Sequence, residues 1–353
     1  MATTYAIPDG RVAMAATLYT GTGSAFSVSN AVNGVSFKPD LVWIKGRSAA
    51  YNHALFDVNR GARNVLSSNT TAAEVLDTAG TSMTSFDAGG FSLGTNSATA
   101  STNVNGSTFV GWQWKAGGAA VSNTAGSITS SVSANPTAGF SVVSATTTSA
   151  AGTIGHGLGV APSMIIGVNR AAPNGWWVYH ASRGATKYLV LNTTAAEVTS
   201  AATWNNTAPT STVFSQGSGG WNNAATAIFY CFAPVAGYSA FGSYVGNSST
   251  DGPFIYTGFR PRYILVKCSS STDSGEAHWE CWDTSRTPYN VSNQIQYLDL
   301  STAESTSGVF NMDILSNGFK LRTGTAGYGN NTSGQTYIYA CFAENPFKYA
   351  NAR

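Results

Sequence analysis

Charge is scarce in this chain: of 353 residues only 10% are Asp, Glu, Lys or Arg, and the formal net charge is +2. So weak a field steers no polyanion, and no basic stripe or block of like charges is present, which argues against nucleic acid as a partner. Long apolar runs are missing too. No stretch reaches the length that crosses a membrane, and the N-terminal MATTYAIPDGRVAMAATLY lacks a basic flank followed by an apolar core. The expectation is a soluble protein with no export signal and no membrane insertion. Cysteine is limited to Cys231, Cys268, Cys281 and Cys341, and no Cys-x-x-Cys pair occurs. The histidines, His53, His156, His180 and His278, have no metal-ligand spacing, so neither a metal nor another cofactor is expected. The run Gly155-His156-Gly157-Leu158-Gly159 lacks the Lys-Ser/Thr and the adjoining helix of a phosphate loop.

What is present is apolar and aromatic: 43% hydrophobic residues, 12% aromatics and 38 glycines. This is enough to bury a core, and many Gly turns among Thr, Val, Tyr, Phe and Trp, with no sustained 3.6-residue period, read as all-β.

An internal repeat organises the chain. FDVNRGARNVLSSNTTAAE, Phe56 to Glu74, returns as YHASRGATKYLVLNTTAAE, Tyr179 to Glu197, with ten of nineteen positions identical. A looser third copy runs from Trp282 to Glu304 and closes after a four-residue insertion. Pro39, Pro162 and Pro261 each precede a short apolar run, and each copy ends on an apolar strand, TFVGWQWK, TAIFYCFA or TYIYACFA, starting at Thr108, Thr226 or Thr336. Those last strands belong at the centres of sheets. Asp87-Ala88-Gly89-Gly90 and Asn317-Gly318 mark tight hairpins in the first and third copies.

The expected organisation is three tandem β-sandwich or jelly-roll-like repeats, with pseudo-threefold closure as one arrangement open to them. The boundaries are an N-terminal arm at 1–17, repeats at 18–116, 139–236 and 237–353, and a linker at 117–138. In the linker the alternating Ser127–Val132 has room for one edge strand. Thr70 to Glu74 has the pattern of a single capped helical turn. Cys231 and Cys341, at equivalent places in the last strands, read as buried thiols. Cys268 and Cys281 are the one pair that a hairpin could bring together.

Asp57, Arg60 and Glu74 recur as His180, Arg183 and Glu197, and as Asp283, Arg286 and Glu304. An arginine pinned by a carboxylate pair is the structural reading of this set; acid/base or carbohydrate chemistry is the other, and the change of Asp57 to His180 favours the first. A glycosidase pair from Glu276, Glu280 and Asp283 occurs in one copy only. His53 aligns with Trp176 and Trp279 and so marks a packing position. Trp43, Trp112 and Trp114 fall in core strands, whereas Trp204 and Trp221 lie beside Asn, Thr and Gly in loop-like segments. With His156 on its Gly-rich turn, these two are the ligand-binding candidates.

Several motifs carry a resemblance. Phe37-Lys38-Pro39-Asp40-Leu41-Val42-Trp43-Ile44-Lys45, the SSNTTAAE run, Gly155-His156-Gly157-Leu158-Gly159-Val160-Ala161-Pro162, Asp251-Gly252-Pro253-Phe254 and Phe342-Ala343-Glu344-Asn345-Pro346-Phe347-Lys348-Tyr349 resemble a family of repeat-built virion proteins of tailed, often marine, bacteriophages. The likeness runs from about Leu18 to Arg353. It implies a late structural protein of the particle, tail-fibre or spike-like, assembled in the host cytoplasm and located in the virion. It carries over no catalytic residue. The expected partners are other virion proteins, a host-surface glycan or protein, and further copies of the chain, a trimer being favoured. A capsid or tail decoration without receptor binding is the alternative, and a polysaccharide-degrading enzyme ranks third.

Overall fold

The computed structural model describes residues 5–96, 99–221, 225–271, 277–306, 308–324 and 329–346. Strands dominate. The first copy supplies β1 (Met14–Thr20), β2 (Phe26–Ser29), β3 (Leu41–Gly46), β4 (Ala54–Asp57), β5 (Asn64–Val65), β6 (Val75–Leu76), β7 (Met83–Asp87), β8 (Gly90–Leu93) and β9 (Thr108–Trp114). Then come β10 (Val121–Asn123), β11 (Ser130–Asn135), β12 (Phe140–Thr146), β13 (Gly152–Gly155), β14 (Met164–Asn169), β15 (Trp177–His180), β16 (Lys187–Val190) and β17 (Val198–Thr199). A four-residue helix α1 (Ala201–Trp204) precedes β18 (Val213–Gln216) and β19 (Thr226–Phe232). The third copy holds β20 (Ser239–Val245), β21 (Phe254–Tyr256), β22 (Phe259–Cys268), β23 (Trp279–Asp283), β24 (Gln296–Tyr297), β25 (Met312–Leu315), β26 (Gly318–Leu321) and β27 (Thr336–Pro346).

One antiparallel strand order recurs. It is β1-β9-β3-β4 in the first large sheet, β12-β19-β14-β15 inside an eight-stranded sheet, and β20-β27-β22-β23 in a five-stranded one. The expectation for the final strands holds, since β9, β19 and β27 each lie between two neighbours. Register is kept as well: Leu41 opposes Trp114, Met164 opposes Phe232 and Tyr263 opposes Phe342, each two residues after its proline. Pro39 and Pro162 precede their strands, whereas Pro261 lies within β22 at a register shift, where its missing N–H breaks no regular ladder. Smaller sheets, β2-β8-β7, β13-β18 and β21-β26-β25, accompany the large ones. The hairpins β7–β8 and β25–β26 are where the Gly-containing turns put them.

The inner strands β3, β9, β14, β19 and β22 are buried at nearly every position because both faces are covered. In β3, Leu41 and Trp43 join a cluster with Trp112, Trp114, Met164, Ile166, Tyr230, Phe232, Tyr263 and Phe342, drawn from all three copies. The alternate residues Val42 and Ile44 pack with Val28, Phe91 and Phe109 of the first copy alone. The second copy has its own cluster around Ile165, Phe214 and Phe229. Where the three sheets meet, a cavity of about 20 Å³ remains, lined by Leu41, Trp43, Trp114, Met164, Phe232 and Phe342 among others. That volume is about one water, and apolar walls leave a water no partner.

Four expectations are corrected. Residues 14–17 of the supposed arm belong to β1, paired with β9 from Met14–Trp114 to Thr20–Thr108. Gly10 lies so close to the third copy that a Cβ there would sit 2.1 Å from the Ala343 carbonyl oxygen. The linker contributes two strands rather than one: β11 spans Ser130–Asn135 between β10 and β12, and β10 forms the edge. Thr70–Glu74 is not helical, because Glu74 is drawn into contacts with another copy. Cys281 opposes Leu265 rather than Cys268, and all four cysteines are free and buried.

Candidate functional site

The repeated acid–arginine set lies where one copy meets the next. Turn geometry builds it: Gly61 and Gly184, directly after the arginines, take φ of +92° and +76°, values that favour glycine. This folds Arg60 back onto Asp57, with Nε to Oδ2 at 2.5 Å, both side chains being fully buried. The same Arg60 reaches Glu74 at 3.0 Å, and Glu74 takes a second, bidentate contact from Arg170 of the second copy at 2.6 and 2.9 Å. The third copy repeats this on the first. Arg286 binds Asp283 at 2.5 Å and Glu304 at 3.3 Å, while Glu304 takes Arg47 through two bonds of 3.0 Å. In the second copy Glu197 binds Arg183 and Lys187 of its own copy, because Ser269 stands where Arg47 and Arg170 stand.

The backbone follows the same cycle. Glu74 N–H donates to Arg170 O at 2.9 Å, Glu197 N–H to Ser269 O at 2.9 Å and Glu304 N–H to Arg47 O at 2.8 Å. Ring donors cross the joints too. Trp176 Nε1 reaches Ser67 O at 3.2 Å, Trp279 Nε1 reaches Val190 O at 3.0 Å, and His53 Nε2 reaches Tyr297 O at 2.9 Å. His53 thus donates where its aligned tryptophans donate, with Nδ1 accepting from Trp43 at 2.8 Å; burial holds it neutral. Asn69 and Asn192, the asparagines of NTTAAE, accept from the N–H of His53 and Trp176, and Asp299 does so from Trp279.

Electrostatics fit this structural role. Burial opposes charge on Arg60, but Asp57, Tyr230 and Glu74 outweigh it and raise its pKa. For Asp283, burial works against ionisation and Arg286 overcomes it, so the carboxylate is held below its ordinary range. Removing one member of so buried a set leaves the rest uncompensated. The side chains of Asp57, Arg60, Asp283 and Arg286 have zero exposure, so these four hold the joints from inside.

The ligand-binding candidates are corrected. Trp204 and Trp221 are 2% and 3% exposed and pack edge to face on each other at 5.6 Å, with Phe214 and Phe229 alongside. Their polar neighbours suggested a loop platform, but Ser200 caps α1 and tucks Trp204 inward, against β18. In the first and third copies the counterparts of β18, namely β8 and β26, carry a third strand. His156 is fully buried, with Nε2 donating to Thr210 O and Nδ1 accepting from Leu158 N–H, so it fixes the glycine turn. Burial lowers its pKa. Of the imagined glycosidase pair, Glu276 lies outside the described residues. Glu280 is 2% exposed with no hydrogen-bond partner for either oxygen among the described residues, and burial followed by nearby Asp299 drives its pKa well up. Asp283 is bound by Arg286 and by Trp112 at 3.0 Å.

The surface feature that sequence reading missed is the outer face of the third small sheet. Phe254 and Tyr256 are 44% and 64% exposed, while Ile255 between them is buried. Across the sheet they continue into Lys320 and Gly318, then Asp313 and Leu315. Asn290 pairs through its amide with the N–H and carbonyl of Ile314 on the far edge, bringing exposed Tyr289 and Val291 alongside. The first small sheet has the same register, and Phe91 occupies the place of Phe319, yet its outer positions are Ser27, Ser92 and Ser85, then Ser29, Gly90 and Asp87. There Asp87 accepts from Ser85 and Ser92 at 2.6 Å. A signal was legible: Phe-Ile-Tyr in one copy stands where Ser-Val-Ser stands in another.

Among the described residues no group of three or more His, Cys, Asp or Glu is placed to hold a metal ion, and no helix is long and apolar enough to cross a membrane. Fold and joints together define an all-β protein of several antiparallel sheets, tied by partly buried arginine–carboxylate contacts between distant parts of the chain. Residues 12–346 match the family described as a domain of unknown function (DUF7483), and the chain belongs to it. No curated protein and no solved structure matches the chain.

Proposed function

We propose that this chain is a non-enzymatic structural protein of a tailed-phage particle, tail-fibre or spike-like, that meets a glycan or protein of the host surface. In this reading three β-sandwich modules close into a pseudo-threefold ring within one chain. The observation that carries it is the cycle of joints: Glu74 to Arg170, Glu197 to Ser269 and Glu304 back to Arg47. A closed cycle has no loose module, and rigid modules leave the outward faces free to differ, as the serines of one small sheet and the aromatics of another do. Resemblance to virion proteins supplies the setting. Association of whole chains, a trimer by expectation, is a separate proposal that light scattering tests.

Imaging particles with an antibody to the chain tests the assignment: label at the tail tip or fibres, and binding of the isolated protein to host cells, are the expected results. A decoration or adaptor role is the second reading. It is favoured by the repeated charged residues being committed to internal joints, and label spread over the capsid or tail tube without cell binding would establish it over the first. Release of reducing sugar from host polysaccharide would overturn both.

A further inference from the structure

We propose that the outer face of the third small sheet is a binding site for an uncharged saccharide, an inference that rests on the recognition reading above. The face is β21-β26-β25 with the segment Tyr289–Val291 along its edge, a span of about 14 Å at the usual strand spacing. Its exposed rings, Phe254, Tyr256 and Tyr289, are 44%, 64% and 71% accessible. Exposed rings on a sheet face offer apolar faces to the C–H faces of sugar rings, with little side-chain entropy to lose on binding.

Polar groups interleave with them. Lys320 pairs with Asp251 at 2.5 Å, Asp251 remaining 82% exposed, and Arg322 pairs with Asp313 at 3.4 Å. Two cations and two carboxylates cancel. The patch therefore has fixed donors and acceptors for hydroxyl groups but no net charge to attract a phosphate, a sulfate or an acidic polymer, and this selects a neutral polyhydroxylated ligand. Folding does not require the rings. The first small sheet forms the same ladder with Ser27 and Ser29 in the places of Phe254 and Tyr256, so the aromatics are surplus to the sheet and cost exposed apolar area.

Affinity electrophoresis of the whole chain through gels carrying dextran, starch, mannan, galactan or laminarin, with alginate and heparin as acidic controls, tests the site. Retardation by at least one neutral polymer is expected. Phe254→Ser with Tyr256→Ser, which install the first copy's own residues, and separately Tyr289→Ala should weaken it at least tenfold while the melting curve stays unchanged. Retardation by none of the polymers, by the acidic ones alone, or unaltered in the folded variants overturns the site. Host-cell binding by the same variants separates the two claims. Cell binding that survives both variants, with no neutral polymer retarding the protein, sinks the sheet and spares the recognition reading. Polymer retardation lost in the variants, without any cell binding, does the reverse.

Discussion

Tyr230 donates its hydroxyl to Asp57 across 2.9 Å although 173 residues separate them. Trp112 makes the corresponding bond to Asp283 at 3.0 Å, over 171 residues. At the remaining joint the acid has become His180, which bonds Tyr339 O at 3.2 Å instead, and the ring donor has become Ala340. Two joints are thus locked by a buried carboxylate and one by a neutral imidazole.

Tyr230→Phe removes a hydrogen bond to a buried carboxylate, and the expected cost is about 2 kcal/mol. Urea unfolding reads it as a lower midpoint. Asp57 keeps Arg60, so a loss near zero would show that the cross-copy bond adds nothing.

The three glutamates should rank. Glu74→Gln and Glu304→Gln each weaken two arginine contacts, one to a fully buried guanidinium, and should cost about 3 kcal/mol. Glu197→Gln touches Arg183 and Lys187, whose side chains are 23% and 31% exposed, so it should cost less than 1 kcal/mol. Equal losses at all three sites in denaturant titrations would contradict the assignment of the joints.

Glu280 should limit stability on the alkaline side. Burial, then Asp299, raises its folded pKa above the unfolded value, so between the two the folded state holds a proton that the unfolded state has lost. Stability from this group is complete below about pH 4.5 and falls as pH rises, by at most about 1.4 kcal/mol per pH unit. Glu280→Met should flatten that fall and raise the melting temperature at pH 8. Thermal scans from pH 4 to 9 compare the two proteins.

His180 acts on the acid side. Burial first, and Arg183 further, lower its pKa to about 4 from 6.5, so over that interval the unfolded state binds the extra proton. The stability it confers is present above about pH 6.5 and is lost as pH falls towards 4. His180→Gln should remove part of the slope in this window and leave the curve above pH 7 parallel to wild type. An unchanged acid limb would exclude His180 as its source.

Trp204→Ala and Trp221→Ala should each cost about 3–5 kcal/mol through the cavity left behind. Any binding by the protein should be lost only in step with its folded fraction, followed by near-ultraviolet circular dichroism. Binding lost in a fully folded variant would restore the two tryptophans as ligand contacts.

Periodicity, turn chemistry and self-similarity act over a few residues, so the sequence by itself determined the all-β class, the repeat, the central place of TFVGWQWK, TAIFYCFA and TYIYACFA, and the two Gly hairpins. It also determined that Arg60 and Arg286 each pair with two carboxylates, because those partners lie within the repeated stretch. Only the tertiary structure decided that Glu74 also takes Arg170 and Glu304 takes Arg47, 96 and 257 residues away, since no local pattern encodes which copy a side chain will face. The same holds for the tryptophans and tyrosines. Trp204 among alanines and asparagines read as exposed and is buried by a one-turn helix, while Tyr256, which no local pattern singled out, is exposed. Burial is set by what packs on each face of a sheet, and that is fixed only when the sheets meet.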